Sequence, residues 1–356
     1  MRNIQDRLYE IDGLRIVAAL CVVFYHYTFS AWAGGASPVA FPAESALSQY
    51  GYLGVDLFFV ISGFVVLMSA WGRTPGQFAI SRAIRLYPAY WAGLALTTMI
   101  TLALGAGIFT ITIPQILANL TMFQAVIDVP NVDVVYWTLW SEMRFYFLIL
   151  VLTMIGMTRG RVLAVLWGWL AVTFAVELGV LPKVADLVVQ SEYSHYFIAG
   201  MALFLLYRFG LNWQIALIVP VCLGNAVFRA IGFSEQVGRR YHVAFSPVAI
   251  TVIVTLIFVV MLLVALRVTK PLATRRLVVA GGLTYPLYLL HAHIGVIAFN
   301  RLGGAVNRYA LLFGLVAVMC LAAYAVHRYL ETLLAPKLKR LLSPRPQRPA
   351  EPLLPH

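Results

Sequence analysis

Ten apolar runs, each long enough to cross a membrane as one helix, follow one another along this chain of 356 residues. The hydrocarbon core of a bilayer is about 30 Å thick, and a helix needs roughly 20 apolar residues to span it. Because backbone polar groups inside lipid must bond within their own segment, each run is predicted to be a helix. The predicted spans are 12–31, 51–71, 87–106, 137–157, 162–180, 193–207, 213–230, 246–266, 277–299 and 306–327.

The composition agrees with this reading, since 62% of the residues are hydrophobic and only 11% are charged. Ordinary soluble domains are far less apolar and carry about twice as much charge. The predicted fold class is therefore an all-α membrane protein, a polytopic bundle of about ten transmembrane helices. We expect one transmembrane domain over 1–336 and a basic, Pro-rich cytoplasmic tail over 337–356.

The positions of the basic residues predict the orientation of the bundle. Ten spans put both termini on the same side, and a cytoplasmic N-terminus assigns 18 of the 26 Lys and Arg residues to the inner face and 6 to the outer face. This is the bias that the positive-inside rule describes, so both termini are predicted to be cytoplasmic. The net charge of +12 then reflects topology and contact with anionic lipids, and no nucleic-acid partner is expected.

Several ionisable residues lie inside predicted spans, where a charge costs at least about 2.5–3.5 kcal/mol. In "LRIVAALCVVFYHY", Arg15 and His26 are separated by just over three helical turns, so they share one face, which could line a shaft. Asp56 in "GYLGVDLFFVISGF", Glu142 in "YWTLWSEMRFYF" and His291 in "TYPLYLLHAH" are expected at the depth of His26. The sequence therefore predicts two histidines and two carboxylates gathered in the outer half of the membrane.

Other side chains on the same helices are expected to line this site, namely Tyr52, Ser62 and Tyr288. His293 and Arg144 point about 200° away from His291 and Glu142 on their helices, so we expect them to pack elsewhere. Cysteines occur only at 21, 222 and 320, all within spans, and their spacing predicts neither a disulfide framework nor a metal site.

An arginine pair precedes the third span, in "ISRAIRLYPAYW". Arg82 and Arg85 are three residues apart and would share a face of a short helix that ends before the span starting near Pro88. Arginine forks bind phosphate groups bidentately, so the pair suits a diphosphate or a ribose phosphate. Simple anchoring at the cytoplasmic surface is the alternative reading of these two residues.

Six motifs, taken together and in order, resemble acyltransferase family 3, the integral membrane acyltransferases. They are "IDGLR", "GYLGVDLFFVISGF", "SRAIRLYPAYW", "WTLWSEMRFYF", "TYPLYLLH" and "YLETLLAP", and the resemblance covers about residues 9–336. It implies a bacterial inner-membrane enzyme that moves an acyl group, most simply acetyl, from cytoplasmic acyl-CoA to a glycan or lipid-linked glycan outside. It further implies that His26 lies near the transfer point and that Arg82 and Arg85 bind the coenzyme A phosphates.

The mechanism expected on this basis uses His26 as a general base on an acceptor hydroxyl, with Arg15 holding the lower part of the donor. Glu142 or Asp56 would orient the imidazole. A covalent acyl-histidine is the rival chemistry. A proton-coupled transporter of a small polar solute is the rival function, because chains of His and carboxylate residues in membranes also form proton relays.

Overall fold

A computed structural model describes residues 8–272, 274 and 276–342, and within that part of the chain every regular element is helical. Ten helices of 16 or more residues form the bundle. They are α1 Tyr9–Phe24, α2 Gly54–Ala70, α3 Pro75–Leu104, α4 Trp137–Ile155, α5 Arg159–Glu177, α6 Ser191–Phe209, α7 Trp213–Tyr241, α8 Pro247–Ala265, α9 Leu277–Leu302 and α10 Arg308–Ala325.

Each predicted span corresponds to one of these helices, which confirms the all-α polytopic fold. Eight helical segments are long and apolar enough to cross a membrane by length and hydropathy. The other two, α3 and α6, have 30 and 19 residues. Tyrosines and threonines in α3, and Glu192 and Arg208 in α6, lower the mean hydropathy of these two helices. The predicted number of about ten is therefore approximate, with eight clear candidates among ten long helices.

The third helix begins well before its predicted start at 87. A capping box between Thr74 and Gln77, with Pro75 in the first turn, starts α3 at Pro75. The helix then continues through Pro88, which removes one backbone hydrogen bond without ending it. The predicted separate helix for Arg82 and Arg85 was therefore wrong, because both arginines lie in the first half of one long helix.

Close packing of α2 against α6 forms the centre of the bundle. A Cβ atom on Gly63 would lie 2.3 Å from the carbonyl oxygen of Phe197, and one on Gly200 would lie 2.1 Å from that of Val60. Small residues at such crossings let two backbones approach, which is a main source of helix association in membranes. The two glycines therefore fix the distance between the helices that carry Asp56 and Tyr196.

Basic residues gather where α6 and α8 end, and this end of the bundle is here called the basic end. The Arg208 guanidinium lies 4.8 Å from the ring centre of Trp71, and that of Arg267 lies 4.3 Å from the ring centre of Tyr207. Some of the basic residues predicted to lie at the inner face are outside the described residues, namely Arg2, Arg7, Arg275, Arg345 and Arg348. Residues 343–356 of the predicted tail are outside them as well.

The segment between α3 and α4, residues 105–136, returns into the bundle before α4 begins. It contains the short helix Ile113–Asn119 and 3-10 turns at Gln124–Ile127 and Val134–Tyr136. Near its end Val132 and Asp133 are both 0% exposed, and so is Tyr136. Because this stretch is buried, α4 starts deep in the protein, which sets the position of Glu142.

Candidate active site

Two cavities in the described part of the chain are lined by most of the polar residues predicted from the sequence. His291 was also expected to line the site, but it lines neither cavity. The arginine cavity has a volume of about 130 Å³, and its polar lining includes Arg15, Ser62, Arg82, Arg85, Thr138, Glu142, Tyr146, Thr284 and Tyr285. The aromatic cavity has a volume of about 190 Å³, and its lining includes Tyr25, His26, Tyr52, Asp56, Trp137, Tyr193, Tyr196, Phe233 and Tyr241, with Glu192, Arg229 and Arg240 as further charged residues.

The charged side chains that line the arginine cavity are mainly cationic. Arg15 Nη1 lies 3.8 Å from Asp12 Oδ1, and Arg85 Nη1 lies 3.1 Å from Glu331 Oε2. Arg82 instead lies over the ring of Tyr146, 5.7 Å from its centre, and no carboxylate of the described chain forms an ion pair with it. The lining thus contains three guanidinium groups and one carboxylate, Glu142, while Asp12 and Glu331 balance Arg15 and Arg85 from outside the lining. Arg82 is the guanidinium that an anion in the cavity could pair with directly.

Glu142 belongs to the arginine cavity rather than to the neighbourhood of His26. Its Oε1 accepts hydrogen bonds from Ser62 Oγ at 2.8 Å and from the Tyr146 hydroxyl at 2.6 Å. The prediction of four ionisable groups at one depth was therefore wrong for Glu142. Hydropathy had placed the first turn of α4 near the surface, whereas the buried residues before it carry that turn inward.

His26 lies on the wall of the aromatic cavity in a stretch of π-helix, Tyr25–Ser30, that follows α1. Single π-helical turns are wider than α-helical ones and often occur at functional sites. His26 Nδ1 is 3.1 Å from Ser30 Oγ, and its ring centre is 5.2 Å from that of His291. The predicted proximity of the two histidines is thus found in the structure.

Asp56 lies in the first turn of α2 and faces the aromatic cavity together with Tyr52, as the sequence predicts. Its Oδ2 accepts a hydrogen bond of 2.8 Å from the Tyr196 hydroxyl. Within the described chain, neither Asp56 nor Glu142 hydrogen-bonds to His26. The geometry therefore gives no support to either carboxylate as the group that orients the imidazole.

One continuous shaft along α1 was also expected, and the structure shows two cavities instead. The small-residue face of α1 is filled by α2, since a Cβ on Gly54 would lie 2.6 Å from the carbonyl oxygen of Ala18. Between the cavities, Val55 and Tyr288 line both. Tyr288 Oη is 3.1 Å from Thr138 Oγ1, which holds the ring in place. Arg15 and His26 therefore line different cavities, and Val55 and Tyr288 form the partition between them.

Several polar partners in these cavities were missed from the sequence, although helical spacing could have indicated them. Side chains three or four residues apart on a helix are neighbours. Asp12 precedes Arg15 by three residues, Tyr146 follows Glu142 by four, and His327 precedes Glu331 by four. His327 and Arg85 both contact Glu331 Oε2. The motif "YLETLLAP" therefore supplies a buried carboxylate that pairs with an arginine of the arginine cavity without lining the cavity itself.

A helical membrane bundle with ionisable groups in two adjoining cavities defines a polytopic membrane enzyme or transporter. Comparison with known proteins decides between these classes. The family model Acyl_transf_3, described as an acyltransferase domain, matches residues 8–327. The chain therefore belongs to the acyltransferase 3 family. No solved structure matches it.

Curated relatives include proteins whose names refer to exopolysaccharide or to peptidoglycan. The chain is 30% identical over 297 residues to the exopolysaccharide production protein ExoZ of Rhizobium meliloti, covering 79% of this chain and 88% of that protein. It is 37% identical over 89 residues to the peptidoglycan O-acetyltransferase OatA of Listeria monocytogenes, which is 23% of this chain and 12% of that protein. A putative peptidoglycan O-acetyltransferase of Bacillus subtilis, YrhL, is 36% identical over 86 residues, which is 22% of this chain and 11% of that protein.

Proposed function

We propose that this membrane acyltransferase moves an acyl group, most simply acetyl, from cytoplasmic acyl-CoA to a hydroxyl of an extracytoplasmic glycan or lipid-linked glycan. The observation that carries the proposal is the pair of cavities, one cationic and one aromatic, separated by Val55 and Tyr288. Such a pair holds a polyanionic donor and a neutral, hydroxyl-rich acceptor apart until their reacting ends meet. Membership of an acyltransferase family argues against the alternative of a proton-coupled transporter.

The donor would bind in the arginine cavity with its phosphates on Arg82, Arg85 and Arg15. Charge-assisted hydrogen bonds from guanidinium groups to phosphate are strong and directional, and a coenzyme A thioester carries several phosphate oxygens at one end. The apolar residues Val55, Phe58 and Phe59 line the same cavity and suit the uncharged arm that ends in the thioester. The basic end of the bundle would face the cytoplasm, where acyl-CoA is found.

The acceptor would bind in the aromatic cavity. Tyrosine and tryptophan rings combine an apolar body with a polar tip, which matches a sugar ring with its apolar faces and its hydroxyl rim. Tyr52 Oη is buried at this wall without a hydrogen-bond partner in the described chain and can bond to such a hydroxyl. The names of the relatives, which refer to exopolysaccharide and to peptidoglycan, support a glycan acceptor.

His26 is the base of the proposed reaction. The acceptor oxygen forms a bond to the acyl carbon as its proton passes to the imidazole, and the C–S bond of the thioester breaks. The departing thiolate then takes that proton from the imidazolium, so His26 is regenerated. A well-placed base contributes about 10²- to 10⁴-fold, and holding both reactants in line contributes further.

Purified protein in lipid nanodiscs tests the function directly. With radiolabelled acetyl-CoA and a set of cell-surface glycans, label should appear on a glycan only when both substrates are present. A single-turnover reaction without acceptor separates the two chemistries, because only the acyl-histidine route leaves label on the protein. The proposal fails if no acyl-CoA binds, or if surface glycans from cells with and without the protein have the same acyl content by mass spectrometry.

A further inference from the structure

His291 is completely buried, yet one of its ring nitrogens has no partner. Its exposed fraction is 0%, and Nδ1 lies 2.9 Å from the carbonyl oxygen of Tyr288. Because a carbonyl can only accept, Nδ1 must carry the proton, which leaves a lone pair on Nε2. Within the described chain Nε2 forms no hydrogen bond. The backbone of His291 is also held, since the Tyr27 hydroxyl donates to its carbonyl oxygen at 3.0 Å.

A buried acceptor without a partner is unfavourable, and each such group in a native structure needs an explanation. The group next to it is His26, whose ring centre lies 5.2 Å from that of His291. When His26 takes the acceptor's proton it becomes a cation, and the lone pair on His291 Nε2 then gains a favourable partner.

We propose that His291 is a positioning residue that stabilises the imidazolium of His26, and this role rests on the proposed function above. The proton comes from the acceptor hydroxyl, stays on His26 while the C–O bond forms, and leaves with the thiolate. His291 itself keeps its Nδ1 proton throughout. Because the favourable contact exists only while His26 is charged, it lowers the barrier rather than tightening substrate binding.

His293 provides a matched comparison within the same helix. Its ring is stacked on Phe109 with 3.8 Å between ring centres, and its backbone N–H donates to Asp133 Oδ2 at 3.0 Å. The other oxygen of Asp133 accepts from the backbone N–H of Val135. Asp133 therefore serves the backbone, and His293 lies against a different ring.

The kinetic test compares three variants in nanodiscs: His291→Leu, His291→Gln and His293→Leu. Leucine keeps the volume and removes the lone pair, so kcat should fall about 10²- to 10³-fold, the range for loss of one group that stabilises transition-state charge. The KM for acyl-CoA should change less than about twofold, since the donor binds in the other cavity. Glutamine offers a carbonyl oxygen near the Nε2 position and should recover much of kcat. His293→Leu should keep the wild-type kcat.

Four results would overturn the role of His291. They are a wild-type kcat in His291→Leu, an equal loss in the leucine and glutamine variants, an equal loss in His293→Leu, and a loss that only follows the folded fraction in thermal denaturation. Nitrogen-15 spectra of labelled histidines add a readout that does not depend on turnover. The signals of His291 are identified because they are missing from the spectrum of His291→Leu. They should show a protonated Nδ1 and an unprotonated Nε2. The opposite tautomer in an active enzyme overturns this role alone, whereas a wild-type protein that transfers no acyl group overturns the proposed function and this role together.

Discussion

His26 is the residue on which the chemistry depends, and its position separates binding from catalysis. Because it lines the aromatic cavity while the arginines line the other, His26→Ala should abolish acyl transfer and leave the Kd for acyl-CoA nearly unchanged. The expected loss of turnover is at least about 10²-fold, the lower bound for a positioned base. Turnover per folded molecule and calorimetric donor binding measure the two effects. A substantial remaining turnover would show that another group is the base.

Arg82 is the cation in the arginine cavity with the freest charge, since its described contacts are to aromatic rings and to Ser81. Arg82→Ala should weaken acyl-CoA binding about 10- to 100-fold, because a hydrogen bond to a charged group is worth about 1.5–3 kcal/mol. The difference between variant and wild type should shrink as salt is added, since ions screen the attraction that the variant has lost.

Arg159→Ala is the control for this measurement. Arg159 lies at the basic end, with its guanidinium 5.8 Å from the ring centre of Phe209, but it does not line the arginine cavity. If both alanine variants bound acyl-CoA as the wild type does, Arg82 would be an anchor at the membrane surface and the phosphates would bind elsewhere.

At the scale of helices, the crossing of α2 and α6 should tolerate no added side-chain atom. Gly200→Ala would put a Cβ within 2.1 Å of the carbonyl oxygen of Val60, so the helices must separate. Overpacking of this kind costs about 1–3 kcal/mol, which should appear as a lower Tm. Gly168→Ala in α5 is the control, because no atom lies within 4 Å of its added Cβ and alanine favours helix. Equal melting temperatures for both variants would contradict this packing.

Helices were predictable from the sequence because each one must contain an uninterrupted apolar run. Their depth was not, and Glu142 shows why: hydropathy measures how apolar a segment is, whereas the buried residues before α4 decide how far in the helix begins. The π-helical turn at His26 leaves no mark on hydropathy either. Pairing across helices was equally hidden, since Arg85 and Glu331 are 246 residues apart and meet only in the folded bundle.

For the molecule as a whole, the distribution of basic residues predicts which end faces the cytoplasm. In a variant without its three native cysteines, a thiol at Asp128 should react with an impermeant maleimide added outside intact cells. A thiol at Leu211, which follows α6 at the basic end and is 69% exposed, should react only after the cells are opened. The reverse pattern would place the arginine cavity outside and exclude a cytoplasmic donor.

The partition at Val55 and Tyr288 makes this enzyme part of the membrane's permeability barrier. In the proposed orientation each cavity would open toward one side of the membrane, and the wall that they share at Val55 and Tyr288 would keep ions apart. Tyr288→Ala should let protons leak across liposomes loaded with a pH-sensitive dye. Thr138→Val, which removes the 3.1 Å contact with Tyr288 Oη but keeps the ring, should leak far less. During transfer the Tyr288 ring must move aside for the acyl arm of the donor. The arm would then fill the opening, so the proton gradient of the cell would be kept during each turnover.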